Sequence, residues 1–108
     1  MSFEIKTIPT FDRQVKRLAK KFPSFKNDFI AFLGQLAENP TIGTPLGKEC
    51  FKNRLAISSK NKGKSGGVRI ITHVQIVGEC IYLLSIYDKS QIANLSEREL
   101  DKLLLEID

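Results

Sequence analysis

The chain has 108 residues, of which 42% are hydrophobic and 27% charged, so it is long enough for one hydrophobic core and too apolar for a disordered chain. No apolar run approaches the roughly 20 residues that a membrane span needs, and the start, Met1-Ser2-Phe3-Glu4-Ile5-Lys6, does not read as a secretion signal; a single cytoplasmic domain over residues 1–108 is expected. The net charge of +5 is unevenly distributed: residues 1–26 carry +5 and residues 48–69 carry +6, whereas residues 27–47 and 70–108 carry −2 and −4. A basic front with an acidic tail suits a polyanion partner or a set of solvated helix faces. Cys50 and Cys80, thirty residues apart in a chain with one histidine, have no metal-ligand spacing, and neither a metal nor a cofactor is expected.

Residues 3–8 alternate apolar and polar up to Pro9, the period of a first strand. Thr10 then stands as an N-cap before Phe11, Val15, Leu18, Ala19 and Phe22, which form one helical stripe opposite Arg13, Lys16, Arg17, Lys20 and Lys21. After Pro23-Ser24 a second stripe runs through Phe25, Phe29, Phe32, Leu33 and Leu36, and Pro40 ends it. Residues 39–47, with two prolines and two glycines, read as a connecting loop. The period then changes to two, with Lys52 and Arg54 on one face of a second strand and Phe51, Asn53, Leu55 and Ile57 on the other. A basic glycine-rich loop with Lys60, Lys62 and Lys64 leads to two strands, 68–77 and 80–87, joined by a two-residue turn at Gly78-Glu79. Ser96-Glu97-Arg98-Glu99 is a capping box, opening a helix with its apolar stripe at Leu100, Leu103, Leu104 and Ile107. The expected fold is α+β, in the order β-α-α-β-β-β-α: an antiparallel-rich four-stranded sheet with an N-terminal helical hairpin and a C-terminal helix.

If the strands flanking the glycine-rich loop pair, Lys52 and Arg54 approach Arg69, and crowding three cations is costly unless an anion sits among them. Cutting RNA by attack of its own 2′-hydroxyl needs a base, cationic stabilisation of the phosphorane-like transition state and an acid for the leaving oxygen. Arginine grips phosphate bidentately, and lysine can act as base where neighbouring cations and partial desolvation favour its neutral form. Tyr87 adds a phenol and Lys89 an ammonium at a strand end. The loop lysines and the helix face Arg13, Lys16, Arg17 and Lys20 suit an RNA backbone or open solvent equally well.

The segments Phe51-Lys52-Asn53-Arg54-Leu55, Gly63-Lys64-Ser65-Gly66-Gly67-Val68-Arg69 and Tyr82 to Ser90, with the Asn39-Pro40 to Pro45-Leu46-Gly47 loop, resemble the RelE/HigB branch of the RelE/ParE toxin superfamily. The resemblance spans nearly the whole chain. It implies a RelE-like fold and the toxin of a type II toxin–antitoxin pair, a ribosome-dependent endoribonuclease that cuts mRNA in the ribosomal A site and is neutralised by a cognate antitoxin in a hetero-oligomer. It also implies that Lys52, Arg54 and Arg69 match the family's basic strand residues, that Lys89 stands where many members have arginine, and that the last helix is mobile. Where family members can carry a catalytic tyrosine, this chain has Ala93-Asn94-Leu95, and Tyr87 is the substitute by position and chemistry. Two alternatives stand beside this reading: a ParE-like inhibitor that binds DNA gyrase, and a non-catalytic RNA-binding domain.

Overall fold

A computed structural model describes residues 3–60, 67–91 and 94–107. The elements are β1 (Glu4–Thr7), α1 (Pro9–Lys21), α2 (Phe25–Glu38), β2 (Thr44–Gly47), β3 (Cys50–Leu55), β4 (Val68–Gln75), β5 (Cys80–Asp88) and α3 (Glu97–Leu104). The α+β class and the RelE-like order hold, and the sheet gains a fifth strand: its order is β1-β5-β4-β3-β2, with β1 parallel to β5 and every other pair antiparallel.

The added strand, β2, lies inside the Pro/Gly-rich stretch expected to be a loop. It pairs with β3 through a tight turn at Lys48 and Glu49, both left-handed, with φ of 56° and 60°. Such turns normally announce themselves by Asn-Gly or Asp-Gly, and this one does not. Lys48 is tied instead to α3, pairing with Asp101 and, at 3.6 Å, with Glu97. Further back, the Asn53 side chain donates to the Ile42 carbonyl at 3.0 Å. Gly43, at φ +113°, fits against this contact because it has no Cβ, which would stand 2.7 Å from the Lys52 carbonyl oxygen.

Two other boundaries differ from the sequence pattern. Helix α1 begins at Pro9 with Ile8 as N-cap, so Thr10 is not the cap. Thr10 is itself bonded from far along the chain, its N–H (3.0 Å) and hydroxyl (2.5 Å) both donating to the Glu106 carboxylate. The β4–β5 connection is a four-residue turn, Ile76 to Glu79, in which the Glu79 N–H donates to the Ile76 carbonyl at 3.1 Å and the left-handed residue is Glu79, not Gly78. The capping box forms as expected, Ser96 accepting from the Glu99 N–H and Glu99 from the Ser96 N–H.

Helix α1 packs along β5 and α2 against β3. Phe11, Leu18, Phe25, Phe32 and Leu36 meet Ile70, Ile81 and Ile86 in one buried core. Successive residues of β5 point to opposite faces, yet all from Ile81 to Asp88 are buried, so both faces of this strand are covered. The β1 strand reaches only Leu83, which leaves the outer edge of β5 beyond it without a strand partner. Gln14 of α1 closes that edge: its Oε1 accepts from the Ile86 N–H at 2.9 Å and the Ser85 hydroxyl at 3.2 Å.

Two buried hydroxyls, those of Thr72 and Tyr87, have no hydrogen-bond partner among the described residues. Thr72 is fully buried. Thr72→Val is therefore expected to stabilise the protein by about 1 kcal/mol, raising Tm by roughly 4 °C, as calorimetry would show. Asp28 is the opposite case. Burial pushes its carboxyl upward, but hydrogen bonds from the Ser58 hydroxyl and N–H and from Ser24 outweigh that and hold it below its ordinary value. Its contribution to stability is present above the unfolded carboxylate pKa of about 3.9 and disappears as pH falls through the lower folded value.

Candidate nucleic-acid cleavage site

The register across the sheet assembles the site. Arg54 of β3 lies opposite Arg69 of β4, which lies opposite Tyr87 of β5. Directly paired residues of antiparallel strands share a face, with Cβ atoms about 4.5–5.5 Å apart. The three side chains therefore form one row across three strands. Lys52 is two residues from Arg54 on the same face, opposite Ile71, itself opposite Ser85. Lys52, Arg54, Arg69 and Tyr87 thus converge on one part of the sheet.

The row grades from open to closed. Arg54 is exposed and Lys52 half-buried, whereas Arg69 is 5% and Tyr87 4% exposed. The burial of Arg69 follows from the place of its strand in the sheet. It sits on an inner strand covered on both faces, where alternation no longer separates buried from wet positions. One guanidinium N–H donates to the Val68 carbonyl at 3.3 Å. Burial and then the neighbouring Arg54 cation lower the Arg69 pKa, and Tyr87 opposes them; an arginine so placed still carries its charge. Burial, reinforced by Glu99, raises the Tyr87 phenol, against the pull of Arg69. Tyr87 is accordingly protonated at neutral pH, an acid rather than a base. Its hydroxyl is buried without a hydrogen-bond partner among the described residues.

Helix α3 overlies this face. It packs on β5, and its Glu99, Leu103 and the following Glu106 line a cavity with Ser85, Gln14 and Thr10. Buried Leu100 and Leu103 anchor it from below.

The remaining expected residues separate into three groups. Lys89 is exposed just past β5, its N–H 3.5 Å from the Gly67 carbonyl. On α1, Arg13, Lys16, Arg17 and Lys20 are all exposed; Arg17 lines a cavity with Ile86, Tyr87 and Gln91, and Arg13 donates to the Thr10 hydroxyl at 3.2 Å. Lys60 ends a short 3-10 turn; its side chain, and Lys62 and Lys64 entirely, lie outside the described residues. His73 is four residues from Arg69, about 13 Å along the strand, and faces Cys50, whose Sγ is 3.5 Å from its Nδ1. Burial pushes the Cys50 thiol up to about 11, as suits a structural thiol. Among the described residues no group of three or more His, Cys, Asp or Glu could hold a metal ion, and no helix is long and apolar enough to cross a membrane.

Sequence reasoning passed over Asp88, Glu99 and Gln14. The signal for Asp88 was present, since Asp-x-Ser is an Asx-turn pattern. In the sequence Gln14 is one polar residue beside an apolar helix stripe, and the capping box alone accounts for Glu99.

Residues 11–105 match the family model described as the RelE toxin of the RelE/RelB toxin–antitoxin system. Among solved structures, the Escherichia coli toxin RelE, in the free state and with two arginines changed to alanine, is similar over 100% of both chains, with a TM-score of 0.64 and 16% identity, a likeness of fold. The chain belongs to the RelE toxin family of RelE/RelB toxin–antitoxin systems.

Proposed function

We propose that this toxin is a ribosome-dependent mRNA endoribonuclease, stopping translation by attack of an RNA 2′-hydroxyl on the adjacent phosphate. The observation that carries this reading is the row Arg54, Arg69, Tyr87 with Lys52 on the same face. Two arginines at neighbouring register positions suit a phosphate that gains negative charge in the transition state. Tyr87, held in its protonated form, is the acid for the leaving oxygen, and Lys52 faces the attacking hydroxyl. The cations themselves supply the charge stabilisation that a metal supplies elsewhere, so the reading is of a metal-independent reaction. By the family resemblance, α3 is the mobile element that shifts to open this face to RNA. Lys89 and the helix cations Arg13, Lys16, Arg17 and Lys20, with Lys60, Lys62 and Lys64, hold the RNA backbone of mRNA and ribosome.

The cognate antitoxin that the family implies is the protein partner, acting in the cytoplasm in a hetero-oligomer with the toxin. The test is a translating ribosome programmed with a defined mRNA. Addition of the purified chain is expected to produce cuts within the A-site codon, mapped by primer extension, and none in free mRNA. Intact transcripts together with gyrase inhibition would replace this reading with that of a gyrase-binding toxin, and ribosome binding without cuts would make it an RNA-binding domain.

A further inference from the structure

We propose that Asp88 is a positioning residue of this site: a carboxylate buried on the opposite side of the strand from Tyr87 fixes Lys89 beside the arginine–tyrosine row. The inference rests on the endoribonuclease reading above. Asp88 is the last residue of β5, opposite Val68, and is 2% exposed. A carboxylate removed so far from water is costly unless its lone pairs are used, and here they are. Oδ1 accepts from the Ser90 N–H and the Ser90 hydroxyl, each at 3.0 Å, while Oδ2 lies 3.8 Å from Lys21 Nζ on α1. The Asp88 carbonyl also accepts from the Gln91 N–H at 3.0 Å. Lys89 and Ser90 thus occupy the middle of a turn closed twice, once by main chain and once by side chain.

The placement of Lys89 follows from the register. Arg69 faces Tyr87 and Val68 faces Asp88, and the Lys89 N–H directed at the Gly67 carbonyl continues the ladder by one step. Lys89 leaves the strand one ladder step past the Val68–Asp88 pair, so its root stands next to the Arg69–Tyr87 pair of the row. Its flexible stem can deliver an ammonium to a defined phosphate only if its root is held, and the doubly closed turn holds it. Asp88 consequently acts through Lys89 and not on the substrate.

A double-mutant cycle on kcat for ribosome-bound mRNA tests this. Asp88→Ala and Lys89→Ala are each expected to lower kcat about tenfold, and the double variant no further than Lys89→Ala alone. Asp88→Asn, which keeps an oxygen to accept from Ser90, should stay within about threefold of wild type. Multiplying losses in the double variant, an Asn variant as slow as the Ala one, or a Lys89→Ala variant with full activity would each overturn the proposal. Should Asp88→Ala fail to fold, Ser90→Ala takes its place: removing one of the two bonds to Oδ1 is expected to slow cleavage about threefold in wild type and not at all in the Lys89→Ala background. A loss that persists in that background overturns it equally. A wild-type chain that cuts no mRNA would instead remove the endoribonuclease reading itself.

Discussion

Tyr87→Phe is expected to melt at or slightly above the wild-type temperature while losing about 10²- to 10⁴-fold in mRNA cleavage, the range for removal of a general acid. The two halves of this result have separate causes. The hydroxyl is buried with no partner, so no hydrogen bond among the described residues is lost when it is deleted, and about 0–1 kcal/mol is gained from relief of its desolvation. The ring, part of the buried core, is retained. Chemistry, in contrast, loses the proton destined for the leaving oxygen. Thermal unfolding followed by circular dichroism and single-turnover cleavage on programmed ribosomes measure the two halves. Cleavage at wild-type rate would remove Tyr87 from the mechanism. The raised phenol adds a pH signature, because the acid form persists beyond the ordinary tyrosine value of about 10. Deprotonation of this group is therefore expected to cause no decline in cleavage between about pH 7 and 9.5.

Gly67→Ala has the larger expected effect on the fold. An added Cβ would stand 2.0 Å from the Leu55 carbonyl oxygen and 2.9 Å from its carbon, both main-chain atoms of the end of β3 that cannot rotate aside. Relief requires β3 and β4 to part where Leu55 pairs with Val68 and Arg54 with Arg69. The expected cost is about 3 kcal/mol, seen as a fall in Tm of roughly 10–20 °C. Because the displaced register is that of the two arginines, cleavage should also fall at temperatures where the variant remains folded. A Gly67→Ala protein with wild-type Tm would show that the β3–β4 approach is not as close as described.

The pattern of apolar residues conveyed both helices of the N-terminal hairpin, the capped last helix and the long strands, since each depends on a period within its own segment. The cationic row was legible for the same reason: parity placed Lys52 and Arg54 together, and pairing across the loop brought in Arg69. What escaped were features set by distant partners. The β2 strand exists because Thr44 to Gly47 meet β3, through a turn whose left-handed residues are Lys48 and Glu49 and so lack the usual glycine. Arg69 and Tyr87 are buried because they lie on inner strands whose residues are buried on both faces, which a strand's own residues do not reveal. The N-cap is Ile8 and not Thr10 because the carboxylate serving that end lies 96 positions away.

That last contact links the two ends of the chain. Glu106 supplies to the first turn of α1 the acceptor that a neighbouring serine or aspartate usually provides. Trimming the protein to end before Glu106 would leave an N–H uncovered at the start of α1, and fraying there would spread towards Gln14 and the edge of β5 that it closes. Tail deletions intended to probe only α3 would in this way also loosen the support beneath Ser85 and Ile86.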